Sequence, residues 1–324
     1  MQKQLESYLE TRRQQFPRFY FISNDELLAI LANSKSLANV QPHLRKLFEA
    51  IYALEFQDKD IKAMLSPEGE RVPLGMNLKA RGSAEVWLPA LEGDMVKSLR
   101  RYMKRGVTDY ERMARRDWVL DKFAQVVCTV GQIAWTRGCE QAISDKNARV
   151  AVARWYDAQI AQLSELTAMV RGNLSPTDRK KIVALITQDV HGRDVVAALR
   201  DEQVSTLHNF TWQQQLRFYW STDEDDCIVR QSNAQFLYGY EYMGITTRLV
   251  ITPLTDRAWM TITGALHIRF GAAPAGPAGT GQCATQCSLR VATHARMRDR
   301  KKLRCAQQFS LCLSLLPRPS PLCR

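Results

Sequence analysis

Gly276, Pro277, Ala278, Gly279, Thr280 and Gly281 read GPAGTG and fill the first six positions of the phosphate-binding pattern GxxxxGK[ST]. In such a loop the glycines let backbone N–H groups curl around phosphate oxygens. The Lys that follows neutralises the terminal phosphates, and the hydroxyl ligates Mg²⁺. This chain continues instead with Gln282 and Cys283. Gln carries no charge, and a thiol is a soft ligand poorly matched to a hard, oxygen-seeking Mg²⁺. A charge-assisted hydrogen bond contributes about 1.5–3 kcal/mol, so losing the Lys alone weakens nucleotide binding by about tenfold or more. A Gly/Pro/Ala-rich run also occurs as a plain turn or linker. The phosphate reading is favoured by order along the chain: a helix-forming segment, a short extended run, then the loop.

Other chemistry is weaker. His43, His191, His208, His267 and His294 lie far apart and share no metal-ligand spacing with a Cys pair. Cys283 and Cys287 are spaced CxxxC, with Cys305 and Cys312 beyond, but this spacing is irregular for zinc. No GxSxG, HExxH or EF-hand pattern occurs. The expectation is no metal site and no catalytic residue.

The elements that must position the loop begin far upstream. Helical periodicity dominates the first 210 residues. FPRFYFI, Phe16 to Ile22, suits a short strand. Ser23-Asn24-Asp25-Glu26 is a capping box in front of LLAILA, so a helix begins there. Pro67, Gly69, Pro73, Gly75 and Gly82 punctuate a loop or hairpin region from about Ser66 to Pro89, and helical pattern returns at Asp94. There Met95, Leu99, Tyr102 and Met103 line one face, while Lys97, Arg100, Arg101, Lys104 and Arg105 crowd the solvated one. Val152, Tyr156, Ile160, Leu163, Leu166 and Val170 mark a further amphipathic helix ending at Gly172, and Ser175-Pro176 caps the next. Near residue 210 the texture turns extended: LRFYW, CIVRQ and QFLYGYEYMG, with STDEDD as a hairpin loop. Thr252-Pro253 then starts a helix running through Trp259 and Ile262.

The net charge of +12 over 324 residues invites a nucleic-acid reading until the charge is located. Residues 282–324 hold nine Lys/Arg against the single acid Asp299, and five of the eight cysteines. The rest is nearly balanced, and its scattered Cys128, Cys139 and Cys227 suit a reduced, intracellular chain. The N-terminus has no apolar h-region, and the apolar run at Phe309 to Leu316 is far short of the roughly 20 residues of a membrane span. A basic arm of Arg296, Arg298, Arg300, Lys301, Lys302 and Arg304 could meet nucleic acid or acidic surfaces. The favoured reading of that segment is a disordered peptide.

The chain resembles the axonemal dynein heavy chains over about residues 1–281. The resemblance is carried by FPRFYFISNDELLAIL with VQPHLRKLFEAI, GSAEVWLPALEGDMVKSLR, WVLDKFAQVV with QIAWT, QLRFYW and, most specifically, YGYEYMGITTRLVITPLTDRAWMTITGALHIRFGAAPAGPAGTG. It implies a mainly α fold: residues 1–240 as the C-terminal part of an elongated helical linker with short β elements, residues 241–281 as the start of the first α/β P-loop (AAA+) module, and residues 282–324 as an unrelated, disordered tail. It further implies that Leu249, Val250, Ile251 and Pro253 flank adenine while Gly276 to Gly281 wrap the phosphates, ATP with Mg²⁺ being the cofactor of the parent family and none being held stably by this chain. The partners implied are the rest of the AAA+ ring, dynein subunits and microtubules, in the cytoplasm and cytoskeleton of a cilium or flagellum, with no membrane and no nucleic acid. The family continues GKTET where this chain has GQCATQC, so a product truncated inside its P-loop and inactive alone is expected. The alternatives are a remnant that holds ATP without turnover and a binder acting through the basic tail.

Overall fold

The computed structural model of the chain describes residues 2–32, 37–58, 60–80, 82–245 and 251–270. It is mainly helical with short antiparallel strands, and it divides into two compact units. The first is Met1–Ser205 with Tyr240–Arg248; the second is Thr206–Gly239 with Leu249–Arg324. The expected boundary at residue 240 therefore meets a chain that returns to the first unit at Tyr240, after residues that belong to the second.

In the first unit α1 (Gln2–Gln15) leads into Pro17–Phe21, which is a 3-10 helix and not the expected strand. Proline presets φ at its first position, and Phe16 and Phe19, three apart, meet edge-on at 5.0 Å with both rings buried. The capping box forms as read: Ser23 Oγ accepts from Glu26 N at 3.3 Å, Glu26 Oε2 accepts from Ser23 N at 3.4 Å, and α2 (Asn24–Ala32) follows. After α3 (Leu37–Leu47), strands β1 (Ala53–Gln57), β2 (Asp60–Leu65) and β3 (Arg71–Lys79) pair antiparallel in that order. Ser66 makes the β2–β3 turn, its Oγ accepting from Glu68 N and Glu70 N at 3.2 and 3.1 Å, with Gly69 at φ 85°.

Helix α4 (Ala84–Tyr110) starts ten residues before the expected Asp94, with Pro89 inside it. Pro89 lies in the second turn, where it removes one backbone bond, while Trp87, Leu88 and Leu91 extend the buried stripe of Met95, Leu99 and Met103. Burial of three large side chains outweighs that bond. Then come α5 (Arg115–Asp121), the largely buried α6 (Ala124–Ile143), α7 (Ala148–Arg171) and α8 (Pro176–Asp201). On α7 the buried stripe is Val152, Gln159, Leu163, Leu166 and Met169, and Ile160 is exposed. Ser175 Oγ accepts from Asp178 N at 3.0 Å and caps α8 as expected.

The second unit holds α9 (Phe210–Gln213), a meander of β4 (Arg217–Ser221), β5 (Asp226–Gln231) and β6 (Ala234–Leu237), and α10 (Pro253–His267). The acidic hairpin falls where the sequence put it, pairing Ser221 with Asp226. Trp212, Phe218, Cys227, Ile228 and Val229 are buried, and α10 packs against β6. Among the described residues no helix is long and apolar enough to cross a membrane.

Candidate nucleotide-binding segment

The second unit positions what is described of this segment. Thr252 Oγ1 accepts from Thr255 N at 3.3 Å and shares a hydrogen bond with Thr255 Oγ1 at 3.1 Å, so α10 begins at Pro253, which has no N–H to satisfy, with the Thr255 donor capped. Ile251 is half-buried against Trp259 and Ile262, together with Leu216 and Leu266. Pro253 is exposed at the first helical position, which its fixed φ suits. Thr263 Oγ1 donates to Gln231 Oε1 at 2.9 Å, and Gln231 Nε2 donates to Gln214 O at 2.9 Å, a buried polar link from α10 through β5 to α9. Sequence reading took Gln231 only as the end of a strand. Burial pushes the Asp256 carboxyl up to about 6.

Of the expected nucleotide-flanking residues, Ile251 and Pro253 are thus placed beside one another at the start of α10. Leu249, Val250 and Gly276, Pro277, Ala278, Gly279, Thr280 and Gly281 lie outside the described residues, as do Gln282, Cys283 and all that follows. The donor types at 282 and 283 can still be tested against Mg²⁺-ATP. An amide and a thiol stand where a cation and a hydroxyl are needed, so they do not fit it. Among the described residues no three His, Cys, Asp or Glu side chains are grouped to hold a metal. Cys139 and Cys227 are buried, and burial raises both thiols.

The residues just before this segment, Tyr240 to Ile245, are held in the first unit by groups that sequence reading did not single out. Glu241 takes a bidentate pair from Arg18, Nη1 to Oε1 at 2.7 Å and Nη2 to Oε2 at 2.8 Å. Arg18 also reaches Glu92 at 3.2 Å and Leu47 O at 3.0 Å and lies over the Phe48 ring. Burial pulls the Arg18 guanidinium down, and Glu241 with Glu92 more than offsets it, so its net shift is upward. Gln125 donates to Glu241 O at 2.7 Å and accepts from Met243 N at 3.0 Å, as a neighbouring strand would. Tyr242 OH donates to Glu70 Oε2 at 2.8 Å, and Glu70 Oε1 accepts from Ala124 N, at the start of α6, at 2.8 Å. Burial raises the Glu70 carboxyl against the pull of those two donors.

Comparison with known proteins places this arrangement. Residues 238–297 match the family described as "Hydrolytic ATP binding site of dynein motor region", which contains the capped α10 and the glycine-rich loop in one ATP-site class. That match runs past Gly281, where the resemblance was expected to stop, and includes Gln282, Cys283 and Cys287. Residues 1–106 match "Dynein heavy chain, N-terminal region 2". The chain belongs to the dynein heavy chain family. It is 46% identical over 312 residues to "Dynein axonemal heavy chain 6" of Homo sapiens, covering 89% of this chain and 8% of that protein. It is 47% identical over 290 residues to "Dynein axonemal heavy chain 1" of Mus musculus, with 89% and 7% covered. It is 42% identical over 297 residues to "Dynein-1-beta heavy chain, flagellar inner arm I1 complex" of Chlamydomonas reinhardtii, with 88% and 6% covered. The chain therefore spans less than a tenth of the length of these curated relatives.

Proposed function

We propose that this chain is the arm-to-ATP-site segment of an axonemal dynein heavy chain. Residues 1–240 correspond to the C-terminal part of the linker, and residues 241–281 to the opening of the first AAA+ module. In this reading the parent works with its AAA+ ring, dynein subunits and microtubules in the axoneme of a cilium or flagellum. Leu249, Val250, Ile251 and Pro253 flank adenine there, and Gly276 to Gly281 wrap the phosphates. The chain itself is a mechanical element that does not hydrolyse ATP. The observation that carries this is the break after GPAGTG, where Gln282 and Cys283 supply neither the phosphate-neutralising cation nor the Mg²⁺ hydroxyl. Steady-state ATPase assays of the purified chain, with and without microtubules, are expected to stay at background. A rate that rises with microtubule concentration sinks the proposal.

The complete six-residue sequence pattern GPAGTG favours a second reading, in which backbone N–H groups still hold ATP without turnover. Saturable binding of a labelled nucleotide by the purified chain supports it. No binding at millimolar nucleotide ends it.

A further inference from the structure

Tyr240 to Ile245 form a short strap whose geometry is unusual at both ends. Tyr240 is 1% exposed and sits at φ 54°, a left-handed conformation that costs a bulky side chain energy and persists only where its surroundings impose it. Gly244 turns the far end at φ 58°, and a Cβ there would lie 3.3 Å from both Ala50 Cβ and Ser66 Cβ. Between these turns four groups from separate elements hold successive residues: Arg18 on Glu241, Glu70 and Met95 on Tyr242, and Gln125 on the backbone of Glu241 and Met243. None of these holders neighbours the strap in sequence, and each meets it through a polar or sulfur atom.

We propose that the strap is a latch, a segment that docks on and leaves the first unit as one piece, with Arg18 as the residue that positions it through Glu241. Strain stored at Tyr240 favours the undocked form, and the buried hooks favour the docked one. Because the hooks share one backbone over so few residues, loss of one loosens the others. The latch thus gives the arm two states that do not require the helices α7 and α8 to unfold. It stands apart from nucleotide binding and from the proposal that the chain is catalytically silent.

The test is amide hydrogen exchange on the full chain, comparing wild type with Glu241→Ala and the isosteric Glu241→Gln. The informative amides are Tyr242 N, which meets Met95 Sδ, and Met243 N, which meets Gln125 Oε1, since neither bonds to Glu241 itself. In Glu241→Ala both are expected to exchange together, about ten- to a hundredfold faster, from the loss of a charge-assisted pair. The amides of α7 and α8 are expected to stay within twofold, and Glu241→Gln, which keeps one acceptor, to fall between. Unchanged strap amides overturn the proposal, and so does a uniform rise across α4, α6, α7 and α8, which would make the strap ordinary core released by global unfolding. Should Glu241→Ala fail to fold, Glu241→Gln alone decides between these outcomes.

Discussion

Lys181 offers the sharpest check on how the first unit is held together. Its side chain is 5% exposed, and its ammonium donates to Leu120 O at 3.2 Å, Lys122 O at 3.1 Å and Asp178 Oδ1 at 3.0 Å. All three N–H directions are used, two of them on carbonyls at the C-terminal end of α5, where the helix dipole is negative and orphan acceptors collect. In Lys181→Met the stem survives and the charge does not. Three hydrogen bonds from a charged donor represent a gross loss of about 4–9 kcal/mol, against which the variant no longer bears a desolvation cost of several kcal/mol. A net destabilisation of about 1–3 kcal/mol remains, a drop in Tm of several degrees for a unit of this size. Equilibrium urea unfolding of the full chain can be followed through Trp118, buried in α5 with its indole N–H on Gly106 O at 3.0 Å. The expected result is a lower midpoint with an unchanged slope. Asp178→Asn, which leaves the two carbonyl bonds in place, is expected to cost less than about 1 kcal/mol. A Lys181→Met midpoint equal to wild type refutes the reasoning, because the capping bonds would then contribute nothing beyond the desolvation they offset.

Three further outcomes are expected. Asp256 titrates at about 6 in the folded chain against an ordinary 3.8, so the stability it supplies is fully present below 3.8 and lost as pH rises through 6. Discounted for partial exposure, Asp256→Asn should therefore gain about 1 kcal/mol at pH 7–8 and progressively less towards pH 4, as read by thermal melts across that range. Gly106→Ala places a Cβ 2.7 Å from Val126 Cγ1 and 3.3 Å from Val130 Cγ2, inside the packed α4–α6 contact. A net loss of about 1–2 kcal/mol in urea unfolding is expected, overpacking exceeding the helix-propensity gain. Gln282→Lys with Cys283→Thr is expected to tighten nucleotide binding by about tenfold or more in a fluorescent-nucleotide titration, and equal affinity would remove the chemical argument made from those two positions.

What could be read from the sequence was local. Ser23, Ser175 and Thr252 each cap a helix within three residues of themselves, so the pattern and the bond are the same object. The hairpin around STDEDD is equally self-contained. Reading failed where a distant partner decides the outcome. Aromatic composition pointed to a strand at Phe16 to Ile22, but Pro17 and the burial of Phe19 turn it into a 3-10 helix whose Arg18 serves Glu241, 223 residues away. Pro89 suggested a loop because its missing N–H is visible in sequence, whereas the core waiting for Trp87, Leu88 and Leu91 is not. Tyr240 to Ile245 carried an extended, aromatic signature and is indeed non-helical, yet nothing in YGYEYMG names the Arg, Glu, Met and Gln that receive it. The glycine loop stood out because phosphate chemistry fixes residue types at short spacing, and its defect at 282 and 283 is legible for the same reason.

The disagreement between family boundaries and physical units has a structural cause. The match to the ATP-site family begins at residue 238, in the second unit, yet from Tyr240 the chain belongs to the first, where Tyr240, Tyr242, Met243 and Ile245 are buried. A boundary drawn at 240 separates Arg18 from its carboxylate, Tyr242 from Glu70 and Gln125 from two backbone groups. Buried polar atoms stranded in this way cost about 1–3 kcal/mol each, more when charged, so the first unit cannot reach its full stability without residues that sequence comparison assigns to the ATP site. Burial and hydrogen bonding make the strap part of the first unit; sequence kinship places it in the match to the ATP-site family. A segment that satisfies both criteria belongs to the packed first unit and to the ATP-site family match at once, and the hooks on Glu241, Tyr242 and Met243 give that overlap specific atoms to test.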